Sequence, residues 1–130
     1  PSGKSMKREY GQLEGLVLHS PRLEESRDFY EALLGIKFTE EKHGAGPKHY
    51  AGHLEAGLLL ELYPPPKIRV PLSQTASFNF SDPSFIFNTH NLEETLERVK
   101  KYTHDKVEML SYGARVYDPD GRTIYLHRIK

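Results

Sequence analysis

The chain has 130 residues, 18 Lys and Arg against 18 Asp and Glu, and no cysteine. That length suits one domain with an ordinary core, and the balanced charge offers no single-signed field for nucleic acid or an anionic membrane surface. The missing thiols exclude cysteine catalysis, zinc knuckles and disulfide frameworks and fit a cytoplasmic protein, while no apolar run approaches the ~20 residues of a membrane span.

Taken in chain order, Pro1-Ser2-Gly3-Lys4-Ser5 reads as a cloning remnant ahead of Met6, and one domain is expected over residues 6–130. Residues 13–18 alternate as a strand does. Ser20 is expected to cap a helix that has Pro21 at its first position, apolar Leu23, Phe29, Tyr30, Leu33 and Leu34 along it, and Gly35 in the left-handed ending. Residues 36–42 and 48–54 predict strands around the turn His43-Gly44-Ala45-Gly46-Pro47. A third strand, 58–63, should pack Leu58, Leu60 and Leu62 beneath helices and turn Leu59, Glu61 and Tyr63 the other way.

The proline-rich stretch 64–83 is expected to be an exposed connection. Residues 84–88 predict a strand, followed by Asn91 and Glu94 as a capping box for a helix with Leu92, Leu96 and Val99 on one face. Residues 107–110, 114–117 and 123–127 predict three more strands, with Asp118-Pro119-Asp120-Gly121 as a hairpin turn.

Two halves therefore repeat one pattern of strand, helix and three strands. Leu23-Glu24-Glu25-Ser26 and Leu92-Glu93-Glu94-Thr95 occupy equivalent places in them. The fold class is α+β: two paired βαβββ modules, the first over 11–65 and the second over 83–130, joined by a linker over 66–82.

Residues 13–127, with Phe29-Tyr30-Glu31-Ala32-Leu33-Leu34-Gly35 closing the first helix and Asp118-Pro119-Asp120-Gly121-Arg122-Thr123-Ile124 entering the last strand, resemble the vicinal oxygen chelate superfamily, the glyoxalase and bleomycin-resistance fold. Glu41-Lys42-His43-Gly44, Gly46-Pro47, His49-Tyr50 and the segment from Gly113 to Gly121 also resemble short members of that group. The resemblance implies two curled sheets enclosing a cavity that often holds a divalent metal. Its four ligand positions fall on Gly15, Glu61, Ser84 and Tyr125, and only Glu61 is a usual ligand type. The resemblance therefore implies a protein with no metal and no cofactor, and a cavity for a small organic molecule.

The candidate ligand-binding residues are Glu61, Tyr63, Ser84, Tyr125, His49, Tyr50 and Arg115, with Tyr117 beside the last; Glu61 and Tyr125 are the catalytic candidates. If positions 61, 84 and 125 converge, the Tyr125 and Ser84 hydroxyls would hold the Glu61 carboxylate ionised and oriented. His19 and His127 read as strand-end histidines, His19 standing roughly 13 Å along the strand from Gly15 at ~3.3 Å per residue and so too far for coordination with Glu61. His43 and His49 either touch a ligand or decorate the loop. Residues 43–50 are expected to gate the cavity.

Three function classes remain: a binding or sequestering protein of the resistance type; a metal-independent acid/base enzyme using Glu61 and Tyr125; and a metal-dependent lyase or dioxygenase with displaced ligands. An isomerase would also fit the resemblance. Glycine fingerprints for nucleotides are missing, since Gly44 and Gly46 lack the Lys-Ser/Thr of a phosphate loop. Members with two modules commonly pair, so a homodimer is expected.

Overall fold

The computed structural model describes residues 10–65, 83–103 and 105–129; residues 1–5 and the connection at 66–82 lie outside the described residues. The first module runs β1 (Gly15–His19), α1 (Leu23–Leu34), β2 (Thr39–Glu41), β3 (His49–His53), a 3₁₀ turn (Glu55–Gly57) and β4 (Leu59–Tyr63). The second runs β5 (Phe85–Thr89), α2 (Leu92–Val99), β6 (Glu108–Leu110), β7 (Gly113–Tyr117) and β8 (Thr123–Arg128). The two four-stranded sheets have the same order, β1-β4-β3-β2 and β5-β8-β7-β6, with the first pair parallel and the others antiparallel. The duplicated α+β pattern is the architecture of the molecule.

Strand alternation sorts the residues. Leu60, Leu62, Ile124 and Leu126 are buried, and with Phe29, Tyr30, Leu92 and Val99 from the helices they form one core common to both modules. Each fully buried aliphatic side chain of this kind contributes about 1.5–3 kcal/mol of burial. Because the helix side of both sheets closes on that one core, each sheet keeps its own open face. The two sheets are not closed on each other within this chain; α1 and α2 lie between the modules and pack on each other.

The helix ends differ in how well their signals hold. Asn91 Oδ1 accepts the Glu94 N–H at 3.0 Å and its Nδ2 donates to the Glu94 carboxylate, so the expected cap of α2 is present. Gly35 ends α1 at φ 69°, where a Cβ would be strained. Ser20, however, does not cap α1: its Oγ accepts the Arg22 N–H at 3.0 Å and bonds to Ser26 Oγ, and the helix begins after Arg22 with no side-chain cap. The competing local turn, combined with burial of Ser20 and Ser26, draws the hydroxyl inward. The strand expected over 36–42 shortens to Thr39–Glu41, since the Phe38 N–H donates to Glu31 of α1 rather than to a neighbouring strand.

A polar clasp joins the modules. The turn before β8 places Asp118, 2% exposed, where it accepts from Tyr30 Oη at 2.6 Å, from Arg122 Nη1 at 3.0 Å and from the backbone N–H groups of Asp120 and Arg122. Arg122 Nη2 in turn donates to the His19 carbonyl at 2.6 Å, and Asp120 accepts from Arg22 and Ser26. The hairpin signal was legible; its second task, bridging 88 residues of sequence to Tyr30, was not.

Candidate functional site

The face of the first sheet turned away from the helices carries a cluster of Glu, His and Tyr side chains. Register fixes its rows. Glu61 lies between Val17 on β1 and Ala51 on β3, and Glu41 lies opposite His49. His49 is 1% exposed and its ring stacks on Tyr63, with centroids 4.1 Å apart and planes 8° apart. Its Nδ1 donates to the Pro47 carbonyl at 3.2 Å, an assignment that follows because a carbonyl can only accept. Its Nε2 is then directed at Glu41 Oε1 (3.3 Å), Glu61 Oε2 (3.6 Å) and Tyr63 Oη (3.3 Å). His43 reaches the same Glu41 oxygen at 3.5 Å from the other side of the turn. Burial pushes the Tyr63 phenol above its ordinary range, and the charges of Glu61 and Glu41 push it the same way.

The second sheet's open face holds a different set. Arg115 lies opposite both Tyr125 and Glu108. It forms an ion pair with Glu108, its guanidinium lies 6.0 Å from the Tyr125 ring centroid, and Tyr117 Oη donates to Glu108 at 3.2 Å. The Arg115 hydrogen bond holds the Glu108 carboxyl below its ordinary range, and burial raises the Tyr117 phenol.

The expected residues are thus divided. Glu61, Tyr63 and His49 come together; Tyr125 and Arg115 come together elsewhere; Ser84 stands exposed just ahead of β5. The convergence of Glu61, Ser84 and Tyr125 is not formed within one chain, because the two sheets have separate open faces. Tyr50 needs correction as well. Alternation turns it to the helix side, where it is 4% exposed, donates to Glu24 at 3.2 Å and accepts from Arg27 at 3.1 Å. His19 stands in register with Tyr63, and Glu61 faces Val17, midway between Gly15 and His19, so His19 is no more remote from Glu61 than Gly15 is. Its Nδ1 bonds to the Pro64 carbonyl at 3.0 Å instead. Glu41 was the missed partner, and His43, left open as a ligand contact or a loop decoration, reaches it: pairing across the turn brings both to His49, and a neighbourhood of Glu, His and His at that turn was the available signal.

The four positions that would hold a metal in the resembling family do not suit one here. A Cβ on Gly15 would meet the Leu59 carbonyl oxygen at 2.8 Å, Ser84 is outside the strand, and Tyr125 faces Arg115.

The family model of the Glyoxalase/Bleomycin resistance protein/Dioxygenase superfamily matches residues 12–126, and the chain belongs to that superfamily. Solved structures with the same fold include TnmS3, an antibiotic binding protein from Streptomyces sp. CB03234, at 17% identity and TM-score 0.62, covering 93% of this chain and 98% of that one. UcmS2 is similar at 14% identity and TM-score 0.66, covering 92% and 99%. A mutant of the genomically encoded fosfomycin resistance protein FosX from Listeria monocytogenes, complexed with Mn(II) and 1S,2S-dihydroxypropylphosphonic acid, is similar at 17% identity and TM-score 0.61, covering 92% and 93%. No curated protein matches the chain. Among the described residues no helix is long and apolar enough to cross a membrane.

Proposed function

We propose that the protein binds a small organic molecule, of resistance or sequestration type, on the open face bearing His49, Glu61 and Tyr63. One observation carries the reading: a buried imidazole and a part-exposed carboxylate share a floor with a stacked phenol, on the sheet face turned away from the helices. Such a set recognises an amine or hydroxyl through the carboxylate and a flat ring through the tyrosine. Val17, 49% exposed, and Ile86, 65% exposed, sit directly across from Glu61 and Tyr125 at matching places in the two modules. Apolar groups at matching edges suit pairing of two copies, the first module's face of one copy against the second module's face of the other. Antibiotic binding by TnmS3 and fosfomycin resistance by FosX are in keeping with this class of ligand.

The test is a thermal-shift screen of aromatic amines and phenols, joined to native mass spectrometry of the purified full chain. A binder is expected that raises the melting temperature and does so no longer in Glu61→Gln or Tyr63→Ala. The reading is overturned if none is found, or if binding is indifferent to both substitutions. Light scattering at high micromolar concentration should give a dimer, and hydrogen exchange over residues 43–50 should slow when the binder is present.

A further inference from the structure

We infer that Glu41, His43 and His49 form a binding site for a divalent first-row metal ion, distinct from the superfamily's ligand positions and lying within the first module alone. One ligand atom from each of the three lies within 4.8 Å of the others. The nearest pairs are 3.3 Å between His49 Nε2 and Glu41 Oε1, and 3.5 Å between His43 Nε2 and the same oxygen. Donors bound at about 2.0–2.2 Å around one ion stand roughly 3.0–3.5 Å apart in tetrahedral or octahedral geometry, so the two pairs already have the required spacing.

The chemistry at Nε2 strengthens the assignment. With Nδ1 held by the Pro47 carbonyl, His49 turns Nε2 toward the lone pairs of two carboxylates. The Tyr63 hydroxyl, 3.3 Å from Nε2, has one hydrogen to offer these three acceptors, whereas a cation at that point would serve them all. An imidazole whose second nitrogen is held by a backbone carbonyl is the arrangement that metal-binding histidines adopt. Burial of His49 fixes its ring, and stacking on Tyr63 prevents rotation away from the point. His43, 73% exposed in its side chain, lies on the turn and supplies the third donor from the solvent side.

Two imidazoles and a carboxylate suit Zn²⁺, Ni²⁺ or Co²⁺ better than Ca²⁺ or Mg²⁺, which require more oxygen donors. Three protein ligands leave at least one coordination position for water or a ligand atom. Glu61, 3.6 Å from His49 Nε2, is placed to accept a hydrogen bond from whatever occupies it. The pairing of Glu41 with His49 across β2 and β3 and the turn through Gly44 and Gly46 make the site; the second module has Leu110 and Gly113 at the positions paired in the same way.

Calorimetric titration of the chelator-treated full chain with Zn²⁺ alone, and absorption spectra with Co²⁺ alone, test the assignment. The expected result is one saturable ion per chain and a Co²⁺ spectrum of low-coordinate nitrogen and oxygen ligation. Loss of an outer-sphere partner alone weakens such sites about 10–100-fold, so His43→Ala and Glu41→Gln should weaken binding by at least that much. Both side chains are exposed or half-buried, and their variants should remain folded by circular dichroism. His53→Ala, on the same strand but outside the group, should bind as the natural chain does. Absence of saturable binding, or binding undiminished in the folded His43→Ala and Glu41→Gln proteins, overturns the site. The titrant is the metal alone, so either result leaves small-molecule binding to its own test.

Discussion

The two modules share strand order, register and helix placement, yet their open faces carry unlike chemistry. Where the first has Glu61 between Val17 and Ala51, the second has Tyr125 between Ile86 and Arg115. Where Glu41 pairs with His49, Leu110 pairs with Gly113. The difference has a steric cause as well as a chemical one. A Cβ on Gly113 would fall 1.7 Å from the Leu126 carbonyl oxygen, so a histidine equivalent to His49 has no room in the second module. Duplication preserved the buried alternation that makes the fold, and the side pointing away from the core was left free to diverge.

The comparison is broken most severely by trying to copy one face onto the other. Gly113→His should prevent the second module from forming its β7-β8 ladder, with a loss above about 4 kcal/mol or no folded protein at all; circular dichroism and urea titration report it. A mild effect would show that β8 can shift away and that backbone crowding does not separate the modules.

Next in size is the clasp, which exists in only one of the two β-turns that precede a module's last strand. Asp118→Ala leaves the Tyr30 hydroxyl and the Arg122 guanidinium buried without their shared acceptor, and should cost about 3–5 kcal/mol in urea unfolding. Glu55→Ala, in the corresponding turn of the first module and exposed, should stay within about 0.5 kcal/mol. Equal effects at the two turns would remove the distinction between them.

The smallest effect is alkaline. Burial raises the Tyr30 phenol well above its ordinary range, and the Asp118 charge and hydrogen bond add to this; Arg122 opposes it and Asp120 reinforces it. An unfolded tyrosine releases its proton near pH ~10, whereas the folded one retains it. The folded state therefore binds more protons above that pH, and this contribution to stability, complete below about pH 10, falls as pH rises toward the folded value. The urea midpoint should hold to about pH 9 and decline beyond it, and Tyr30→Phe, though less stable at neutral pH, should show a shallower decline. An unchanged slope in Tyr30→Phe would assign alkaline unfolding to other groups, Tyr63 and Tyr117 included.

Much of the framework could be read directly from the residues. The period-two pattern in Leu59–Tyr63 put Leu60 and Leu62 inside and Glu61 and Tyr63 on the open face, because burial on one side leaves a signal at every second residue. Gly35 and Asn91 were legible because backbone conformation and capping are local. Ser20 misled for the same reason: its local signal is genuine, but Ser26 and Arg22 compete for the hydroxyl. Tyr50 was assigned to the cavity by its place near the loop, while the alternation that sends it toward Glu24 and Arg27 starts from the pairing of β3.

By itself, then, the sequence determined the superfamily, the duplicated α+β architecture and the inward or outward sense of most strand residues, all of which follow from periodicity and short-range backbone chemistry. Only the tertiary structure decided which outward residues meet. Glu41, His43, His49 and Glu61 come from β2, the turn after it, β3 and β4, and their 3.3–3.6 Å contacts depend on strand register. Asp118 and Tyr30 meet because the two modules dock. A one-residue slip in register would move every one of those strand side chains to the opposite face, and nothing in the local sequence of a short strand fixes register until the neighbouring strand and the shared core are in place.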